Sequence, residues 1–171
     1  MEDLKKLIRD VPDFPKPGII FKDITTLLLE PAAFKKVIDI MADHYNREKI
    51  DKIIAVESRG FIFGAALSYR MGIGFILARK PGKLPAATVK EMYDLEYGQD
   101  AIEVHADSIS NGERILIVDD LLATGGTAQA CGKLVEKLGG TVIGYAVMIE
   151  LAFLAGKEKL TQAPVYSLIT Y

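Results

Sequence analysis

Apolar positions come in two rhythms along the chain, and together they predict an α/β protein. Short, nearly continuous apolar runs at 52–57 (KIIAVE), 74–79 (GFILAR), 114–119 (RILIVD), 141–150 (TVIGYAVMIE) and 164–171 (PVYSLITY) suit strands covered on both faces. Between them lie segments with helical spacing. Pro31 opens one that runs to about Arg47, with Phe34, Val37, Ile38 and Met41 as its stripe. FIFGAALSYRM is predicted to form a second helix that ends at Gly72, and 127–138 a third that stops at Gly139-Gly140. Strand, helix and strand over 52–79 make a βαβ unit, whose crossover is expected to be right-handed.

Residues 2–10 are read as a short helix with Leu4, Leu7 and Ile8 on one side. The VPDFPKPG segment that follows is read as a stiff extended arm, because proline fixes φ and removes donors. Residues 80–92, with two prolines and three lysines, are the least regular stretch; loops of that kind inside a compact domain are usually functional or mobile. The segment 93–107 alternates around Gly98-Gln99 as a β-hairpin does. The order β-α-β, hairpin, β-α-β predicts one domain, with a mainly parallel central sheet flanked by helices and a small antiparallel addition.

Composition narrows the function. Half of the 171 residues are hydrophobic, and 21 basic against 23 acidic side chains leave a net charge of −2. Nothing in that balance points to nucleic acid or an anionic membrane as partner, so a bound anion must be held locally. The single cysteine, Cys131, excludes an internal disulfide and suits a reducing compartment. It sits mid-helix and is read as a packed, inert thiol. His44 and His105 lie apart, without metal-ligand spacing, and are read as structural or surface residues. The first residues lack the apolar core of a secretory signal, and no run reaches the ~20 apolar residues that span a bilayer. A cytoplasmic protein is expected.

The chemistry concentrates in Val118-Asp119-Asp120-Leu121-Leu122-Ala123-Thr124-Gly125-Gly126-Thr127. Ligands of open α/β sheets sit beyond the carboxyl ends of the strands, and here a strand is read as ending in two carboxylates there. Small, hydroxylic and glycine residues then lead into a helix, whose free N–H groups and partial positive charge receive phosphate. Carboxylates would repel that phosphate unless they face something else, such as sugar hydroxyls or a hydrated cation. A ribose phosphate satisfies both halves, with its 5′-phosphate at Ala123–Thr127 and its 2′- and 3′-hydroxyls near Asp119 and Asp120. The run has no Gly-Lys-Ser/Thr, as a P-loop would require, and Gly72-Ile73-Gly74 precedes a strand, unlike a dinucleotide fingerprint.

This run resembles the phosphoribosyl-pyrophosphate (PRPP) motif of the type I phosphoribosyltransferases, and its Ala-Thr-Gly-Gly-Thr variant resembles the adenine-using members. Three other segments agree in order. Asp13–Gly18 with Phe21 and Asp23-Ile24-Thr25 resembles the family's N-terminal hood, Glu57-Ser58-Arg59-Gly60-Phe61 its pyrophosphate loop, and Leu95-Glu96-Tyr97-Gly98 the distal part of its flexible loop. Two departures are Thr26, where the family often has proline, and Lys22, where some members have arginine.

The resemblance implies the type I phosphoribosyltransferase fold, with a hood over about 11–30 and a β-hairpin flexible loop over about 80–104. It implies transfer of the phosphoribosyl group from PRPP to N9 of adenine, giving AMP and pyrophosphate, in a homodimer. Mg²⁺ is the implied cofactor, held mainly through substrate and water and not by dedicated protein ligands. Arg59 is expected to clamp pyrophosphate with the help of Glu57 and Ser58, and Lys83 to reach it from the loop. Asp119, Asp120, Ala123, Thr124, Gly125, Gly126 and Thr127 are expected to hold the ribose phosphate. Adenine is expected at the backbone near Ile20, with Phe21, Lys22 and Leu121 around it. Phe14 is expected in the core. Glu96 is the candidate acceptor of the N9 proton, and Tyr97 is expected to help close the loop. Transfer to hypoxanthine, guanine or xanthine, and a non-catalytic PRPP sensor, remain the alternatives.

Overall fold

The computed structural model describes residues 1–94 and 98–171. Glu96 and Tyr97, singled out above, lie outside the described residues. The chain begins with α1 (Glu2–Lys5), β1 (Arg9–Pro12), β2 (Ile20–Asp23), α2 (Thr25–Leu28) and α3 (Pro31–His44). Then come β3 (Lys52–Val56), α4 (Gly60–Met71), β4 (Gly74–Ala78), β5 (Thr88–Asp94), β6 (Gln99–His105), β7 (Arg114–Leu122), α5 (Gly126–Lys137), β8 (Thr141–Glu150) and β9 (Val165–Thr170). Two short 3₁₀ segments, Ala152–Leu154 and Gly156–Lys159, separate β8 from β9.

Five strands form a parallel sheet in the order β4-β3-β7-β8-β9, which places β7 at its centre. Strand side chains alternate between faces, and the two halves of the core follow that alternation. Leu116 and Val118 pack with Val37 and Met41 of α3 and with Phe63 and Leu67 of α4. Ile115 and Ile117 pack on the opposite face with Cys131, Leu134 and Val135 of α5 and Ile102 of the hairpin. The period-2 pattern then continues into the acids: Asp120 falls on the α4 side and Asp119 on the α5 side. Strand β3 accompanies β7 only as far as Ala55↔Val118, whereas β8 pairs with it through Leu122↔Glu150. One edge of β7 is therefore open beside both acids.

Four expectations need correction. The predicted helix over 2–10 stops at Lys5, and Arg9–Pro12 pairs with Ile20–Asp23 as an antiparallel ribbon. Burial of Leu4 and Ile8 and the cross-strand pairs Arg9–Asp23 (2.6 Å) and Lys22–Asp10 (2.7 Å) favour the ribbon over more helix. The irregular segment is shorter than 80–92, because Thr88–Asp94 is already strand and pairs in register with Gln99–His105. Phe14 is not core: it is 51% exposed and rests edge-on against Phe21, with ring centroids 5.1 Å apart. Finally, β7 does not end at the acids but continues to Leu122, so both carboxylates project from within the strand.

Candidate active site

The open edge of β7 faces a cleft of about 400 Å³. Asp119, Asp120 and Leu121 form its floor, and the turn Glu57–Arg59 after β3 forms one wall. Phe21 of the hood and Lys80, Tyr93 and Ile102 of the hairpin region form the others. A smaller cavity of about 100 Å³ adjoins it, lined by Ala123 to Ala128, and Asp119, Leu121 and Thr127 border both. A ligand with a phosphate in the small cavity and a charged leaving group in the large one would therefore lay its sugar across Asp119.

The small cavity is a helix N-terminus. Gly125, at φ 80°, is the residue before α5, in a left-handed conformation that glycine adopts without strain. The N-cap residue of α5 is Gly125, which has no side chain to cap it, so the first amides of the helix are offered to the loop as donors. Behind Gly125 stands the 3₁₀ segment: a Cβ at position 125 would lie 2.3 Å from the carbonyl oxygen of Gly156.

The acids and the Arg59 turn meet because α4 starts directly after that turn and packs on β7. A Cβ on Gly60 would come within 2.7 Å of Asp119 Oδ1, so only glycine admits this approach. Arg59 Nε lies 2.8 Å from Asp120 Oδ2, an ion-pair approach without the alignment of a hydrogen bond. The guanidinium also lies 4.7 Å above the Phe21 ring, which ties the N-terminal segment to the Glu57–Arg59 turn. The Asp120 amide donates to Asp119 Oδ1 at 2.9 Å. Burial raises the Asp119 carboxyl well above the ordinary range, and the adjacent Asp120 charge adds to that. Burial also raises Asp120, while Arg59 pulls it back. Burial thus shifts both carboxyls in the same direction, Asp119 the more strongly.

The remaining cations of the cleft are paired with acids. Glu57 accepts from Arg79 Nε (2.9 Å) and from the Lys80 amide (3.1 Å), and its other oxygen pairs with Lys83 Nζ. Burial opposes ionisation of Glu57, but these cations outweigh it and hold its carboxyl below the ordinary range. Lys80 Nζ is gripped by Asp100 and donates to the Tyr93 hydroxyl at 2.6 Å. Asp100 and Tyr93 face each other across the hairpin, so this grip depends on strand register. Neither acted as a signal in the sequence, because a cross-strand partner is visible only once the register is known.

The structure therefore gathers Phe21, Glu57, Ser58, Arg59, Asp119, Asp120, Leu121 and Thr127 around the cleft, and Ala123, Thr124, Gly125 and Gly126 beside it. Lys83 is held at the rim by Glu57. Ile20 is 56% exposed on the hood and does not line the cleft. The Lys22 side chain also points elsewhere, to Asp10 and over the Tyr171 ring at 3.7 Å. Burial pushes the Cys131 thiol far up, consistent with an inert packed group. His44 stacks on Tyr166 at 3.6 Å.

Comparison with known proteins agrees with this geometry. Residues 23–170 match the phosphoribosyl transferase domain family. The adenine phosphoribosyltransferase of Solibacter usitatus is 57% identical over 171 residues, covering 100% of this chain and 99% of its own. A crystal structure of adenine phosphoribosyltransferase from Thermoanaerobacter pseudethanolicus superposes with a TM-score of 0.97 at 52% identity, over 99% of both chains. The Saccharomyces cerevisiae adenine phosphoribosyltransferase, complexed with an imino-altritol bisphosphate and adenine, superposes with a TM-score of 0.92 at 42% identity, over 98% of this chain and 97% of that one. With sequence, fold and cleft in agreement along almost its entire length, this chain belongs to the phosphoribosyl transferase family.

Proposed function

We propose that the protein transfers the 5-phosphoribosyl group of PRPP to N9 of adenine, releasing pyrophosphate and forming AMP, as a step of purine salvage. The observation that supports this reading most directly is the junction of the two cavities at Asp119 and Thr127. It offers one phosphate position at α5, one carboxylate-lined sugar position, and one cation-rich position at Arg59 and Lys80, in the order that PRPP presents those groups.

The C1′–O bond to pyrophosphate breaks, the C1′–N9 bond forms, and the N9 proton leaves. Negative charge builds on pyrophosphate in the transition state, so preorganised cations act there most strongly. Arg59, Lys80 and Lys83 meet it by exchanging their present carboxylate partners for phosphate oxygens. Asp119 and Asp120 accept from the ribose hydroxyls. Phe21 and Leu121 sandwich the base, and backbone groups near Ile20 reach its edge once the hood closes. Lys22 acts in this reading by bracing the hood through Asp10. Glu96 takes the N9 proton.

Mg²⁺ supplies charge neutralisation on the pyrophosphate. Asp119 and Asp120 are the carboxylates at hand, and Glu57 is already engaged with cations. Few protein oxygens are thereby offered, which suits a metal carried mainly by substrate oxygens and water. The assembly is a homodimer: Ile62 (38% exposed) and Tyr69 (92%) on α4 and Leu77 (38%) on edge strand β4 are exposed apolar side chains that a partner copy would cover. No described helix is long and apolar enough to cross a membrane, and the site of action is the cytoplasm.

The test is incubation with PRPP, Mg²⁺ and adenine, hypoxanthine, guanine or xanthine in turn, with chromatography of the nucleotides. AMP formation that exceeds the other products by orders of magnitude is expected. Preferential formation of IMP, GMP or XMP, or no nucleotide at all, would overturn the reading.

A further inference from the structure

We propose that Gly156 is a positioning residue for the 5′-phosphate, acting through the backbone of Gly125. The proposal rests on the assignment of the Ala123–Thr127 turn to that phosphate. Gly156 belongs to no motif and touches no part of the cleft. It opens the second 3₁₀ segment between β8 and β9, immediately after Ala155, whose φ of 52° turns the chain toward the phosphate loop.

The two segments meet glycine to glycine. A Cβ at 156 would lie 2.0 Å from the Ala123 carbonyl oxygen and 2.8 Å from the Gly125 amide nitrogen. A Cβ at 125 would in turn lie 2.3 Å from the Gly156 carbonyl oxygen. Both obstacles are backbone, so no change of rotamer relieves them. Gly156 is buried, and the glycine pair lets the segment press on the rear of the phosphate loop at van der Waals distance. That pressure sets where the amides at the start of α5 stand. A phosphate site built from backbone amides has no side chain that could reach after a displaced ligand, so its geometry must be set from behind.

A methyl group at 156 must push the loop away by about 1.4 Å, from 2.0 Å to ordinary contact at 3.4 Å, and a displacement of even ~1 Å costs on the order of 10²-fold in rate where groups must be aligned. The φ of Gly156 is not among the positive values of the chain, so alanine there adds displacement without backbone strain. Gly112 is the converse: its φ is 82°, and a Cβ there would meet nothing within 4 Å. Gly112→Ala therefore carries strain without displacement.

The test is titration calorimetry of the full chain with ribose 5-phosphate and, separately, with pyrophosphate and Mg²⁺. Wild-type protein should bind both, and failure to bind ribose 5-phosphate would overturn the phosphate assignment itself. Gly156→Ala should weaken ribose 5-phosphate at least tenfold, leave pyrophosphate within twofold, and raise KM for PRPP. Gly112→Ala should melt lower and change neither affinity. Gly125→Ala reaches the same contact from the other side with the strain of φ 80° added, so it should melt lower and still show the selective loss of ribose 5-phosphate even where Gly156→Ala fails to fold. In the double variant the losses should fall short of the product of the single ones, because one shift of the loop relieves both contacts. Unchanged ribose 5-phosphate affinity in either single variant, or equal loss of both ligands, would overturn the role of Gly156.

Discussion

Replacing Arg59 with glutamine should separate two effects that the ion pair with Asp120 now combines. The contact is 2.8 Å, the Asp120 side chain is 7% exposed, and that of Arg59 is 34% exposed. Breaking a fully buried pair by removing one partner costs about 3–5 kcal/mol, whereas exposed pairs contribute about 0–1 kcal/mol. With the carboxylate buried and the guanidinium a third exposed, about 2 kcal/mol is expected at pH 8. That corresponds to roughly 4–8 °C in Tm for a chain of this size. The sign with pH follows from Asp120. Burial already raises its carboxyl, and Arg59 opposes the rise, so Arg59→Gln raises it further. A carboxyl raised on folding takes up a proton in the folded state, and stability falls as pH climbs from the unfolded toward the folded value. In the variant that decline extends to higher pH, so its deficit should grow between pH 5 and pH 8. Adding Asp120→Asn to Arg59→Gln removes the stranded carboxylate and should recover most of the Tm. It should not recover activity if Arg59 is the pyrophosphate clamp proposed above, and the loss should be roughly 10²–10³-fold in kcat/KM. Thermal melts of wild type, both single variants and the double variant at the two pH values decide the matter. A wild-type Tm for Arg59→Gln at pH 8, or no recovery in the double variant, would refute the assigned energetics.

Gly125→Val should abolish turnover, with a loss on the order of 10²-fold or more in kcat/KM. The obstruction comes from the Gly156 side and not from within the phosphate cavity, so a crystal structure should show a shifted loop. Glu96→Gln should lower kcat by roughly 10²–10⁴-fold, spare PRPP affinity and remove the acidic limb of the kcat profile. A near-normal kcat with an unchanged profile would assign the proton elsewhere. The wild-type chain should sediment as a dimer at micromolar concentration, and Tyr69→Glu with Leu77→Glu should shift it toward monomer. A fully active wild-type monomer would remove the apolar α4–β4 face from consideration as an interface.

Much of this protein is written locally. The five apolar runs are the five strands of the parallel sheet, because strands with helices packed on both faces of the sheet, as the inner strands β7 and β8 have, are apolar nearly throughout. The helices begin and end close to their proline and glycine signals, as at Pro31 and at Gly72 with φ 69°. The Ala123–Thr127 turn was legible because a small-residue turn into a helix N-terminus is made of consecutive residues. Tertiary structure alone decided what depends on distant partners. Arg59 meets Asp120 only because α4 packs on the side of β7 to which alternation turns Asp120, and Gly60 lets the two come close. Arg9–Pro12 is strand and not helix because β2 lies beside it, and a four-residue segment is governed more by its partner than by its own propensity. The grip of Asp100 and Tyr93 on Lys80 depends on hairpin register, and the meeting of Gly125 with Gly156 on how the segment after β8 folds back. Spacing along a chain encodes faces and turns, whereas pairings between distant segments exist only after the core has placed them.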